Sequence, residues 1–123
     1  MSVSGREGLA PSPWILAWAP LFKAGGRVLD LACGSGRHVR WLAAQGFNVM
    51  AVDRDAEALR ELATLSRVQC CVRDIEAEPW PFPGETFDAI VVTNYLHRPL
   101  LPILVRSLCR RGVLLYETFA QGN

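Results

Sequence analysis

Apolar residues along the chain fall into short continuous runs that alternate with stretches of helical spacing. The run at 27–32 (Arg27-Val28-Leu29-Asp30-Leu31-Ala32) predicts a buried strand leading into Cys33-Gly34-Ser35-Gly36. Val39, Leu42 and Ala43 then recur at helix spacing over 37–45, and Gly46 closes that helix. Residues 47–52 predict a second strand ending at Asp53, followed by a helix over 55–65 with Asp55 as its N-cap and Leu59, Leu62 and Leu65 on one side. Strands are predicted at 68–72, 87–93 and 113–118, with a helix from about 100 to 110 before the last of them. Pro79, Pro81 and Pro83 forbid a regular element over 78–84, and Trp80 and Phe82 in that loop read as packing residues. Near the start, Ser12 and Pro13 open a short helix bounded by Pro20.

Strands alternating with helices of about ten residues imply an α/β fold with a mostly parallel sheet covered on both faces. Runs such as Ala89-Ile90-Val91-Val92 suit strands buried on both sides. In a doubly wound sheet the ligand crevice lies at the carboxyl ends of the strands, near the switch in strand order. Residues 1–25 form an N-terminal arm with its short helix, and 26–123 the core.

Composition narrows the partners. With 123 residues, half of them hydrophobic, the chain is sized for one core. Thirteen basic residues against twelve acidic give a net charge of +1, and no basic tract marks a nucleic-acid surface. Arg37, His38 and Arg40, and Arg106, Arg110 and Arg111, read as solvated helix faces or ends. Cys33, Cys70, Cys71 and Cys109 have neither C-x-x-C nor zinc spacing and read as thiols of a reducing compartment. The apolar stretch at 14–19 is too short to cross a bilayer, and no signal peptide is visible, so a soluble cytoplasmic protein is expected.

The chemistry concentrates where successive strands end. Asp30, Asp53 and Asp74 stand at or beside the ends of the first three strands and should share one rim next to the glycine turn. A dinucleotide would place its pyrophosphate on that turn, where a carboxylate at Asp30 would repel it. Val39 also stands where the third glycine of G-x-G-x-x-G belongs. A ligand bearing an ammonium, a sulfonium and ribose hydroxyls fits the acids better, and an NAD(P)-dependent oxidoreductase is the alternative.

Four segments, in order, carry a family resemblance. Residues 28–38 (Val-Leu-Asp-Leu-Ala-Cys-Gly-Ser-Gly-Arg-His) resemble motif I of class I S-adenosylmethionine-dependent methyltransferases. Ala51-Val52-Asp53 is similar to their ribose-binding motif, Arg73-Asp74-Ile75 to their adenine-binding motif, and residues 87–97 to their motif IV region. The overall style is also similar to small bacterial methyltransferases of the tellurite-resistance type. The resemblance implies a Rossmann-like sheet of about five strands in the order 3-2-1-4-5 and S-adenosylmethionine as cofactor. It implies that Asp30 and the backbone from Ala32 through Gly34 to Gly36 hold the methionine portion, and that Asp53 binds the ribose with Arg54 flanking the adenine. Asp74 would accept from the adenine amino group, and Ile75 would donate through its backbone and pack on the ring. Asn94 would lie by the transferring methyl with Tyr95 nearby, while His97 reads as a loop residue more readily than as a general base. No metal is implied, and the methyl acceptor is expected to be a small molecule.

Two departures from the family pattern stand out. Alanine occupies position 32 where glycine is common, which implies slight crowding of the turn. The antiparallel hairpin that completes the family's sheet is missing. A fragment of a longer protein is therefore expected, or else a homodimer or non-catalytic fragment paired through the exposed fifth-strand edge.

Overall fold

The computed structural model describes residues 10–93, 95 and 97–117. Five parallel strands form one sheet: β1 (Arg27–Leu31), β2 (Asn48–Asp53), β3 (Val68–Val72), β4 (Phe87–Thr93) and β5 (Leu108–Glu117). Their spatial order is β3-β2-β1-β4-β5, as the resemblance implied. The order reverses between β1 and β4, so the crevice opens where Leu31, Asp53 and Thr93 end their strands.

Side-chain alternation sorts the core into two layers. Val28 of β1, Val49 and Ala51 of β2, and Ala89 and Val91 of β4 face one way. They are covered by α1 (Pro13–Trp18), α2 (Arg37–Ala44) and α3 (Ala56–Leu62) through Ile15, Val39, Leu42, Leu59 and Leu62. Leu29, Leu31, Val52, Ile90 and Val92 face the other way, against Leu100 and α4 (Leu101–Arg106). Among the described residues no helix connects β3 to β4 on that second face. Instead the proline-rich loop folds in, with Phe82 only 5% exposed and stacked edge-on between Trp80 and Phe87. Each fully buried side chain of this size contributes roughly 1.5–3 kcal/mol, so the aromatic ladder does the covering work of a crossover helix.

The helix starts follow their caps. Ser12 accepts the Ile15 N–H ahead of Pro13, and Asp55 accepts the N–H groups of Glu57 and Ala58. The helix expected to run to residue 110 stops at Arg106. A 3-10 turn (Arg98–Leu100) precedes α4, and Ser107 ends it by sharing its N–H between the Ile103 and Leu104 carbonyls. Strand pairing wins beyond that point: Phe87 donates to the Ser107 carbonyl and pairs with Leu108, so β5 begins five residues before the expected 113. Ala89 then pairs with Val113, and β5 bulges in between, with Arg111 at φ +66°. Among the described residues no helix is long and apolar enough to cross a membrane.

Candidate functional site

The loop after β1 is held by its own backbone and by β2. Ala32, Gly34 and Gly36 all adopt left-handed geometry, with φ of +55°, +57° and +85°. At Ala32 that conformation is itself a burden, since a left-handed backbone resists any side chain. At Gly36 a Cβ would come within 2.5 Å of both Leu62 methyl groups, so α2 and α3 close on the turn only because that position carries none. Cys33 N–H donates to the Val52 carbonyl at 3.0 Å, and Gly36 N–H to the Cys33 carbonyl at 3.0 Å. Gly34 N–H donates to Asp53 Oδ2 at 2.8 Å. The amides of Cys33, Gly34 and Gly36 are therefore taken by protein acceptors, which leaves those of the first turn of α2 to meet a ligand.

Asp53 is the hub of the rim. Besides Gly34, its Oδ1 accepts the Asp55 N–H at 2.9 Å, and its carbonyl accepts the Arg73 N–H at 2.9 Å, tying the end of β3 to the end of β2. Each carboxylate oxygen accepts one of these bonds and can accept a second, so hydroxyl-accepting capacity remains. Asp74 caps the turn that follows, its Oδ1 accepting from the Glu76 and Ala77 N–H groups, which leaves Oδ2 outside these two bonds. Between these acids lies a cavity of about 220 Å³ lined by Ala32, Val52, Asp53, Arg54, Arg73, Asp74, Ile75, Glu76 and Tyr95.

Five of the predicted residues thus share one cavity: Ala32, Asp53, Arg54, Asp74 and Ile75, with the candidate Tyr95 on its wall. Gly34 and Gly36 shape the turn beside it without lining it. Asp30 departs from the expected rim position. It points from β1 into the α2-covered layer, only 1% exposed, and neither carboxylate oxygen has a hydrogen-bond partner. Burial pushes its carboxyl up to about 8, the nearby Asp53 charge adding to that and Arg37 opposing it. Asn94 lies outside the described residues.

Two features escaped the sequence reading. His38, taken for part of a solvated helix face, is 3% exposed, because positions 38, 39 and 42 form the buried stripe of α2. Its Nε2 accepts the Ser12 N–H at 3.0 Å and its Nδ1 sits 3.5 Å from Thr93 Oγ1, while Ser12 Oγ donates to Glu117. Burial, with Arg37 adding to it, lowers the His38 imidazole to about 4. This cluster pins the N-terminal arm to the ends of β4 and β5. The second is Glu76, whose Oε2 accepts from the Tyr95 hydroxyl at 2.6 Å and whose Oε1 lies 3.7 Å from His97 Nδ1. Its signal was no more than an acid two residues beyond Asp74, on a loop whose folding pattern shows no period.

Comparison with known proteins follows the same lines. A family model described as "Methyltransferase domain" matches residues 28–111. An uncharacterized protein of Mycobacterium tuberculosis is 35% identical over 115 residues, spanning 87% of this chain and 42% of its own length. The demethylmenaquinone methyltransferase of Clavibacter sepedonicus is 37% identical over 83 residues, 64% of this chain and 33% of that protein. The chain therefore spans less than half the length of these curated relatives. Among solved structures, a TehB-like SAM-dependent methyltransferase from Corynebacterium glutamicum superposes with a TM-score of 0.70 at 23% identity, covering 88% of this chain and 64% of that one. Coclaurine N-methyltransferase does so with a TM-score of 0.67 at 24% identity, covering 82% and 33%. At these identities the two structures speak for the fold.

Proposed function

The chain belongs to the methyltransferase domain family, and from that premise we propose that it is the S-adenosylmethionine-binding core of an enzyme that methylates a small molecule. The observation that carries the reading is the state of the glycine turn. The amides of Cys33, Gly34 and Gly36 are occupied by Asp53 and by backbone carbonyls, and the crevice beside the turn is lined by three acids, Asp53, Asp74 and Glu76, against two arginines, Arg54 and Arg73. That arrangement disfavours a pyrophosphate and suits a cationic nucleoside, which argues against the oxidoreductase alternative.

The residues fit that cofactor one by one. Asp53 would accept from the ribose hydroxyls and Arg54 would flank the adenine, both from the cavity wall. Asp74 keeps one carboxylate oxygen for the adenine amino group, and Ile75 offers an apolar face and a backbone donor. Asp30 is a buried acid with two unpartnered oxygens, the counterpart an ammonium needs. Ala32, Gly34 and Gly36 would let the backbone approach the methionine portion, and the family resemblance gives Asn94 a place by the methyl. When bound, S-adenosylmethionine supplies an electrophilic methyl on a positively charged sulfur. This chain's part is to fix that end of the reaction in line with the acceptor and to exclude water from it. The small-molecule acceptor is supported by the balanced charge and the lack of a basic tract.

Calorimetric titration with S-adenosylhomocysteine and, separately, NADH tests the reading. Binding of the first and silence from the second are expected. Asp74→Asn retains an oxygen for the Glu76 and Ala77 N–H groups, so it should weaken S-adenosylhomocysteine several-fold without lowering the melting temperature. No heat with S-adenosylhomocysteine, or tighter binding of NADH, would falsify the proposal.

A further inference from the structure

Glu76, on the cavity wall, joins two side chains. Tyr95 donates its hydroxyl to one carboxylate oxygen at 2.6 Å, and His97 presents Nδ1 to the other at 3.7 Å. Backbone contacts hold Glu76 and His97 in place. The Glu76 N–H donates to Asp74 Oδ1 at 3.0 Å, and the His97 N–H donates to the Tyr116 hydroxyl at 3.1 Å from β5. Glu76 and Tyr95 line the same cavity as Asp53 and Asp74.

We propose that His97 takes the proton that the methyl acceptor loses, with Glu76 as its positioning residue, and that the acceptor is therefore a hydroxyl or N–H nucleophile. The inference rests on the methyl-transfer reading above. With Nδ1 turned to a carboxylate, the ring's proton belongs on Nδ1 and the lone pair on Nε2. No described residue hydrogen-bonds Nε2, and the side chain is 30% exposed. The 3.7 Å separation is longer than a hydrogen bond, and such contacts tighten when a site is loaded.

Tyr95 has the other role. Burial and the Glu76 carboxylate both push its phenol well up, so it stays a donor and fixes the Glu76 side chain. The charged or titratable groups about the pair are thus Tyr95 on Glu76, with Asp74 acting on Tyr95, Tyr116 from β5 on the His97 N–H, and Arg98 next in sequence. In the step itself, a lone pair on the acceptor's oxygen or nitrogen forms the bond to the methyl carbon. The carbon–sulfur bond breaks with its electrons going to sulfur, the O–H or N–H electrons return to the heteroatom, and the proton goes to Nε2. The imidazolium so formed lies against the Glu76 carboxylate, which offsets its charge.

Nitrogen-15 NMR of the full chain reads the ring tautomers directly, with its two histidines, His38 and His97, as the only imidazoles. His97 should carry its proton on Nδ1, and Glu76→Gln should move population to the Nε2–H form. A wild-type His97 protonated on Nε2, or a Glu76→Gln variant with an unchanged tautomer, overturns the proposal. Methyl transfer is then measured with phenol as the O–H probe and benzylamine as the N–H probe. His97→Gln should slow transfer to the probe that is used by about 100-fold or more, leave S-adenosylhomocysteine affinity unchanged, and recover with added imidazole. Equal rates in wild type and variant overturn the assignment of His97. Failure of the wild type to methylate either probe, with S-adenosylhomocysteine bound, overturns the acceptor class. Failure to bind S-adenosylhomocysteine refutes the methyl-transfer reading instead, and is distinguished because the tautomer measurement needs no ligand.

Discussion

Replacing Asp30 with asparagine should change how stability depends on pH, in a direction that the buried carboxyl dictates. Its value is 3.8 in the unfolded chain and about 8 in the fold, raised chiefly by burial. The folded state therefore holds the proton more tightly. The contribution is fully present below 3.8 and is lost as pH rises toward 8, by at most about 1.4 kcal/mol per pH unit. Asp30→Asn keeps the shape of the protonated carboxyl and cannot ionise, so it escapes that loss. His38 titrates in both proteins and cancels from the difference between them. From about pH 5.5 to about pH 7.5 the variant should gain up to about 2.7 kcal/mol on the wild type, on the order of 10 °C in melting temperature. Differential scanning fluorimetry across that range reads the gap, and a gap that stays constant with pH refutes the reasoning. The same residue should link ligand binding to protons. At pH 7 about nine-tenths of a group titrating near 8 is protonated, so an ammonium arriving beside it should release close to one proton. Calorimetry of S-adenosylhomocysteine in phosphate and in Tris should show that release in the wild type and lose it in Asp30→Asn.

Gly36→Ala should destabilise the fold by about 2–4 kcal/mol in urea unfolding, since the new methyl meets Leu62 and the left-handed backbone resists a side chain. Ala32→Gly relieves about 1–2 kcal/mol of left-handed strain against roughly 0.5–1 kcal/mol of added unfolded-state entropy, so a melting temperature equal to or above wild type is expected. His38 is lowered from 6.5 to about 4 in the fold, so its contribution is present above 6.5 and lost as pH falls toward 4. Acidification through that window should release the Ser12 contact and alter the fluorescence of Trp14 and Trp18, and His38→Gln should flatten the change.

The first four strands and the caps at Ser12 and Asp55 were legible because each rests on local chemistry: an apolar run of the right length, or an oxygen just ahead of a periodic segment. The cavity residues Asp53, Asp74 and Ile75 were legible for a related reason, since the end of a parallel strand is a place that topology brings to its neighbours. The start of β5 was not. Leu108 to Arg111 carry apolar and basic residues that serve equally as the end of a helix, and only the partner offered by Phe87 decides for a strand. His38 was misread for a similar cause. Flanking arginines suggested a wet surface, whereas its burial depends on the distant Ser12 and Thr93. Asp30 sits at the predicted strand end, but the pleat turns it into the α2-covered layer, so it is buried and is not among the side chains that line the cavity.

The bond from Gly34 to Asp53 makes one mechanical part out of two pieces that sequence motifs treat separately. A molecule that pulls on the acid at one end also tugs the loop that seats α2, and α2 carries the imidazole clasping the N-terminal arm. Occupancy of the crevice and grip on the arm should accordingly rise and fall together, as a drawer and its latch do when both are screwed to the same rail.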